Sequence, residues 1–289
     1  MTLGLSFAAV PENTLLVKKC LHRMDASQNV PAIKFLQIRT IMKFRMKKLI
    51  LSSIAIGSLF LNAANAAPAD NVYTPQVEYG KRELDYRYGW IGKGNDPHRN
   101  ATLLGLGYGA GQYWYTELYL RYNREGDSGN RFNAIGWENK YQLTEVGQYP
   151  VDIGFLVKFE LPDSRSQGFG LKFGPLFQTD FGNTQVNANL LFSRNYHADV
   201  PNPMRLDYQW QAKYRSNPLL EFGVQGFGEV GAWDHWAPRS QQTHLVGPAF
   251  FGKLPLAGRQ AIKYSAAYLI DVSDAIHSKA FRAQVEYEY

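Results

Sequence analysis

Strict two-residue alternation, recurring in short segments down to the last residue, is the feature that most limits what this chain can fold into. In AFRAQVEYEY, Phe281, Ala283, Val285, Tyr287 and Tyr289 alternate with Arg282, Gln284, Glu286 and Glu288. In RLDYQWQAKYR, Leu206, Tyr208, Trp210, Ala212 and Tyr214 oppose Asp207, Gln209, Gln211, Lys213 and Arg215. In VDIGFLVKFEL, the apolar series from Val151 to Leu161 opposes Asp152, Lys158 and Glu160. A period of two is that of a strand with two unlike faces, and no stretch after Ala67 keeps helical spacing for three turns.

Twelve such segments are expected, at about 76–90, 101–110, 113–124, 131–143, 150–161, 168–180, 184–194, 205–215, 219–229, 244–254, 260–271 and 280–289. The links after the second, fourth, sixth, eighth and tenth segments read as short. Those after the first, fifth, seventh, ninth and eleventh are longer and polar, as in GKGNDPHRN and NYHADVPNPM, and the link over 125–130 is intermediate. One end of an antiparallel meander then carries the short turns and the other the long loops. This is the organisation of an outer-membrane barrel, for which an even strand number is required.

Charge supports an export reading rather than a basic partner. The chain has 31 Lys and Arg against 25 Asp and Glu, but nine of the basic and only two of the acidic residues lie in 1–66. The remainder is nearly neutral, so no basic nucleic-acid surface is implied. From Met42, the basic residues Lys43, Arg45, Lys47 and Lys48 precede an uncharged apolar run, Leu49 to Leu61, followed by Ala64 and Ala66. Those parts in that order are a signal peptide over 42–66, and the run is too short to span a bilayer. Residues 1–41 are read as an over-long predicted start. Residues 67–289 then form the barrel, without a cysteine, since Cys20 is the only one.

A soluble sandwich also alternates, turning its apolar face to a core. Two features favour a membrane. Aromatics gather near strand ends on the apolar faces (Trp90, Trp114, Tyr122, Phe169, Phe181, Tyr214, Tyr289), as in girdles at lipid–water interfaces. The opposite faces carry Gly105, Gly107, Gly109, Gly170 and Gly174 beside charges of both signs, which suits a closed polar lumen.

The terminus FRAQVEYEY, with Phe281, Val285, Tyr287 and the terminal Tyr289, resembles the C-terminal signature of Gram-negative outer-membrane β-barrels. That resemblance implies recognition of the last strand by the barrel assembly machinery. The segments VEYGKRELDYRYGW, WYTELYLRY, WENKYQLTE, YPVDIGF, YQWQAKYR and WDHWAP also resemble a group of uncharacterised proteobacterial exported proteins, and that likeness implies no activity.

The expected lumen lining comprises the acids Glu83, Asp85, Glu117, Glu138 and Asp207, and the bases Arg87, Arg121, Lys140, Lys158, Lys172, Lys213 and Arg282. Near-balanced signs fit either a selectivity lining for a small polar or charged solute or a structural ion-pair network. A twelve-stranded barrel lies between filled and open ones, so a narrow path and a plugged lumen are both compatible. His98, His197, His235, His244 and His277 fall in or beside the long loops with Asp nearby, a weak metal-binding pattern without tight spacing. In WDHWAPRSQQTH the Trp residues read as a lipid-interface rim or a solute-contacting loop. An outer-membrane lipid hydrolase would need a Ser–His pair; loop histidines such as His235 or His244 near Ser240 are weak candidates, and no G-x-S-x-G elbow exists. No cofactor or nucleotide motif is present. The reading is an all-β, up-and-down, monomeric barrel that is a narrow channel or structural protein of the outer membrane, with a lipid-acting enzyme or a soluble periplasmic β-protein as alternatives.

Overall fold

In the computed structural model, residues 68–94, 97–273 and 278–289 are described. The expected start segment 1–41, the signal peptide with Ala64 and Ala66, and His277 lie outside them. The strands are β1 (Arg82–Lys93), β2 (Arg99–Gly111), β3 (Trp114–Glu125), β4 (Arg131–Gln142), β5 (Asp152–Pro162), β6 (Phe169–Phe181), β7 (Thr184–Tyr196), β8 (Arg205–Tyr214), β9 (Glu221–Ala232), β10 (Thr243–Pro255), β11 (Ala261–Asp271) and β12 (Ser278–Glu288). Each pairs antiparallel with its neighbour in sequence, and β12 pairs with β1 to close the barrel. Closure runs in one register from Glu83 opposite Glu288 to Lys93 opposite Ser278. Tyr289 extends it by exchanging backbone hydrogen bonds with Arg82 (2.9 and 3.3 Å). A closed ladder leaves no strand edge unpaired.

Alternation sets the two faces of the wall. Along β2, Leu104, Leu106 and Tyr108 are exposed while Ala101, Leu103, Gly105, Gly107 and Gly109 are buried. The same split turns Leu118 and Leu120 of β3, Ile135 and Trp137 of β4, and Val285 of β12 outward. Two outward indoles have their N–H groups satisfied by strand side chains: Trp137 donates to Thr116 (2.8 Å) and Trp114 to Asn139 (3.1 Å). That lets a tryptophan lie flat on an apolar surface without an orphan donor. Trp233 packs edge-on against Phe192 of the outer face, with ring centroids 6.3 Å apart, which places it on the rim.

Inward glycines make room for neighbouring side chains. A Cβ on Gly136 would overlap the ring of Tyr119, and one on Gly107 would overlap the hydroxyl of Tyr115. We expect Gly136→Val to lower stability by about 2 kcal/mol, as overpacking of a filled interior does. The check is the midpoint temperature at which the compact electrophoretic form is lost; Tyr119→Leu in the same chain should restore much of it.

Two Gly-Pro steps interrupt the ladder on one side only. Pro175 lacks an N–H, and the β6–β7 register resumes at Leu176 opposite Asn189 after Phe173 opposite Phe192. Pro248 does the same between β10 and β11, while β5–β6 and β9–β10 stay continuous past these points.

Three expectations are corrected. The first strand begins at Arg82, not near residue 76, because 68–77 runs inside the barrel and 78–80 form an exposed turn into β1. The link 143–151 is not short: it is a folded loop tied by Gln148 N–H to Glu145 O (3.2 Å) and Gly147 N–H to the Asp152 carboxylate (2.8 Å). The length difference between the two ends is therefore weaker than the sequence suggests. The interior is also not uniformly polar: Leu156, Leu176 and Leu191 are fully buried around Tyr73. Phe227, Leu245 and Leu269 are buried around Val72.

Candidate functional site

The interior is built around residues 68–77, which thread the barrel from the β1 end. Glycines of the wall receive this backbone: a Cβ on Gly89 would overlap Pro68 O, and one on Gly154 would lie 2.9 Å from the Pro75 Cα. Val77 N–H donates to Gln142 Oε1 (2.9 Å) and the Tyr73 hydroxyl to Glu138 Oε2 (3.1 Å). Further in, Asp70 pairs with Lys172 (3.3 Å), and Arg282 donates to the Asp70 carbonyl. Val72 and Tyr73 insert into the two apolar clusters on opposite walls, so the segment bridges the lumen.

All twelve charged residues singled out from the sequence lie at inward positions of the alternation. Most are drawn into one network on the β1–β5 wall. Glu117 faces Glu138 directly across β3 and β4, a like-charge pair that needs a cation. Arg87 supplies it, bonding both oxygens of Glu117 (3.2 Å each), pairing with Asp85, and reaching Glu138 at 4.0 Å. Lys158 stands 3.7 Å from Glu138 and 4.4 Å above the Tyr119 ring. The Tyr115 hydroxyl lies between Glu83 and Glu117, and Lys140 sits 5.0 Å over the Tyr115 ring. Beside this, Arg121 and the Tyr119 hydroxyl share Glu160 (2.9 and 2.8 Å).

The remaining residues are separate. Lys172 joins Asp207 (3.2 Å) to Asp70, and Lys213 pairs with Glu221 (3.2 Å). At the closure seam Glu83 and Asp85 face Glu288 and Glu286. Lys81 bridges Glu83 and Glu288 at 2.8 and 2.6 Å. Burial works against this ammonium, but the carboxylates outweigh it and raise its pKa above the ordinary lysine value.

Between its ion pairs the β6–β9 wall also carries a chain of amides. Gln225 donates to Gln211 (3.1 Å), Gln211 to Asn187 (3.0 Å) and Asn187 to Gln178 (2.9 Å). Between the threaded segment and the β8–β12 wall a cavity of about 290 Å³ remains, lined by Val72, Lys213, Gln225, Phe251, Lys263 and Arg282 among others.

Asp70, Tyr73, Tyr115, Tyr119 and the amide chain were not singled out from the sequence. Tyr115 and Tyr119 were within reach, since they alternate with Glu117 in WYTELYL. Asp70 and Tyr73 lie in a stretch with no alternation, and nothing local marks them as interior.

The described histidines stay apart. His98 accepts a backbone bond from Gly126, His197 lies 5.7 Å from the Phe169 ring, and His235 donates its N–H to Ala232. His244, in β10, is held by the Tyr208 hydroxyl (2.7 Å) and Gln242 (2.8 Å). With both ring nitrogens engaged, it does not serve Ser240 as a base. Among the described residues, the one group of three close metal-type donors is Glu83, Glu286 and Glu288, which contains no histidine and of which Glu83 and Glu288 are already paired with Lys81 and Lys263.

No protein-family model and no curated protein matches the sequence. Among solved structures, an outer membrane channel from Pseudomonas putida F1 is similar, with a TM-score of 0.55 and 12% identity. The match covers 76% of this chain and 98% of that one. A membrane protein from a study of in-meso crystallisation matches over 72% of this chain and 84% of its own, with 12% identity and a TM-score of 0.40. The chain therefore has the fold of an outer-membrane channel: a closed, antiparallel, all-β barrel of twelve strands.

Proposed function

We propose that this protein is a monomeric channel of a Gram-negative outer membrane, exported with a signal peptide over 42–66 and passing a small polar or charged solute by a narrow path. The observation that carries the reading is the two-sided wall: a hydrogen-bond-closed cylinder with an apolar, aromatic-ended exterior and an ion-paired interior. Only lipid makes that exterior favourable, and only a closed ladder satisfies every backbone group there. The similarity to an outer membrane channel supports the same reading.

The test is extraction from isolated outer membranes, heat-modifiable gel mobility, and then conductance in planar bilayers. Discrete conductance steps from the compact form are expected. Recovery from the soluble periplasm alone would overturn the proposal. A second reading, a structural barrel without transport, is favoured by one observation: 68–77 bridges the lumen between its two apolar clusters. Absence of conductance even after removal of 68–77 would select it.

The last strand should also direct assembly. Tyr287 and Tyr289 stack with centroids 5.5 Å apart, and Phe281 lies 6.5 Å from Tyr88 across the closure seam. Deleting Tyr289 is expected to reduce folded protein in the outer membrane severalfold while export continues, as read by the ratio of compact to unfolded bands. Unchanged levels would count against recognition through Phe281, Val285, Tyr287 and Tyr289.

A further inference from the structure

We propose that the cavity between residues 68–77 and the β8–β12 wall binds a small amphiphilic carboxylate, whose carboxylate pairs with Arg282 and whose apolar part lies against Val72, Phe251 and Ala267. As a step in transport this rests on the channel reading; as a binding site it stands alone.

Arg282 is the reason. It is only 6% exposed, yet no carboxylate among the described residues forms an ion pair with it. One terminal nitrogen donates to the Asp70 carbonyl, the guanidinium carbon lies 3.8 Å from the Phe227 ring centroid, and Nε has no hydrogen-bond partner. The acids nearest in chemistry are engaged elsewhere: Asp70 with Lys172, and Glu229 with Arg205. A buried guanidinium with a free N–H is costly unless an anion completes it, and a planar carboxylate matches its fork.

The other cations of the cavity differ. Lys213 has Glu221, Lys253 and Lys263 have Glu288, and Arg87 has Asp85 and Glu117. Arg282 is thus the cation left for a ligand. Size and lining set the rest. A volume of about 290 Å³ is at the small end of ligand sites, and Val72, Phe251 and Ala267 are apolar. A bare inorganic anion would leave that surface in water or empty.

The experiment is titration calorimetry of the full barrel in non-ionic micelles, corrected with empty micelles, using hexanoate, its neutral analogue hexanamide, and sodium chloride. Saturable hexanoate binding is expected, with hexanamide about tenfold weaker or worse, as loss of a charge-assisted pair in a dry site implies. Arg282→Met should weaken hexanoate by a similar factor, and Arg282→Lys by less. Equal binding of hexanoate and hexanamide, or no saturable binding, overturns the site. So does full competition by chloride at equal concentration. The hexanoate–hexanamide comparison uses the unaltered protein, so it decides the matter even where Arg282→Met does not fold. Conductance without hexanoate binding would overturn this site and leave the channel standing. Binding without conductance would do the reverse.

Discussion

Removal of residues 68–77 is expected to raise single-channel conductance severalfold, with the barrel still closed and heat-modifiable. The twelve strands form their ladder without any contribution from this segment. What the segment supplies is obstruction: Val72 and Tyr73 reach opposite walls and Asp70 ties it to Lys172. Burial of Val72 contributes about 2 kcal/mol and the Tyr73–Glu138 hydrogen bond about 1.5–3 kcal/mol, so no single contact is decisive. A variant that keeps the chain length separates obstruction from truncation. Gly89→Leu places side-chain atoms where Pro68 O now lies and should expel the inner end of the segment, reproducing much of the deletion's conductance gain. Deletion with no change in conductance would show that the path, if any, does not pass where the segment lies. Conductance should also become noisier in Tyr73→Ala, since that side chain alone anchors the segment in the Leu156, Leu176 and Leu191 cluster.

The wall was legible in the sequence because its code is local. Each strand announces two faces through neighbours two residues apart, so Glu117 and Tyr119, or Arg282 and Glu286, could be assigned to one side before any contact was known. Partners within the wall followed less well. That Arg87 would serve Glu117 depends on register across two strand pairs, and register is set by the whole ladder. The threaded segment was illegible for a different reason. Asp70 meets Lys172 and Arg282, and Tyr73 meets Glu138, across long stretches of chain, while 68–75 has neither period two nor period 3.6. Its clearest trace lay elsewhere, in Gly89 and Gly154, inward positions of the wall that carry no side chain. Read from sequence alone, an inward glycine says that space is needed and not what takes it.

Replacement of Arg87 by Met should be the most destabilising single change in the barrel, at about 3–5 kcal/mol, because it strands buried carboxylates rather than merely deleting a contact. Asp85, Glu117 and Glu138 converge on this one guanidinium, and Glu117 and Glu138 are direct cross-strand neighbours. Lys158 stands 3.7 Å from Glu138 but forms no ion pair with Asp85 or Glu117, so it does not neutralise the cluster. Arg87→Lys keeps the charge and loses the fork that holds both Glu117 oxygens, and should fall between Met and the native residue. Changing Glu117 to Met in the Arg87→Met background should recover part of the loss, since the paired apolar replacement removes a stranded charge together with its partner. The measurement is the thermal or denaturant midpoint of the compact form in micelles. An Arg87→Met barrel as stable as the native one would mean that water reaches this network and screens it, in which case the β1–β5 side would itself be part of an aqueous path. A large loss with recovery in the double variant would instead make that side a dry structural wall. The conducting route would then follow the β8–β12 wall, where the cavity and Arg282 lie.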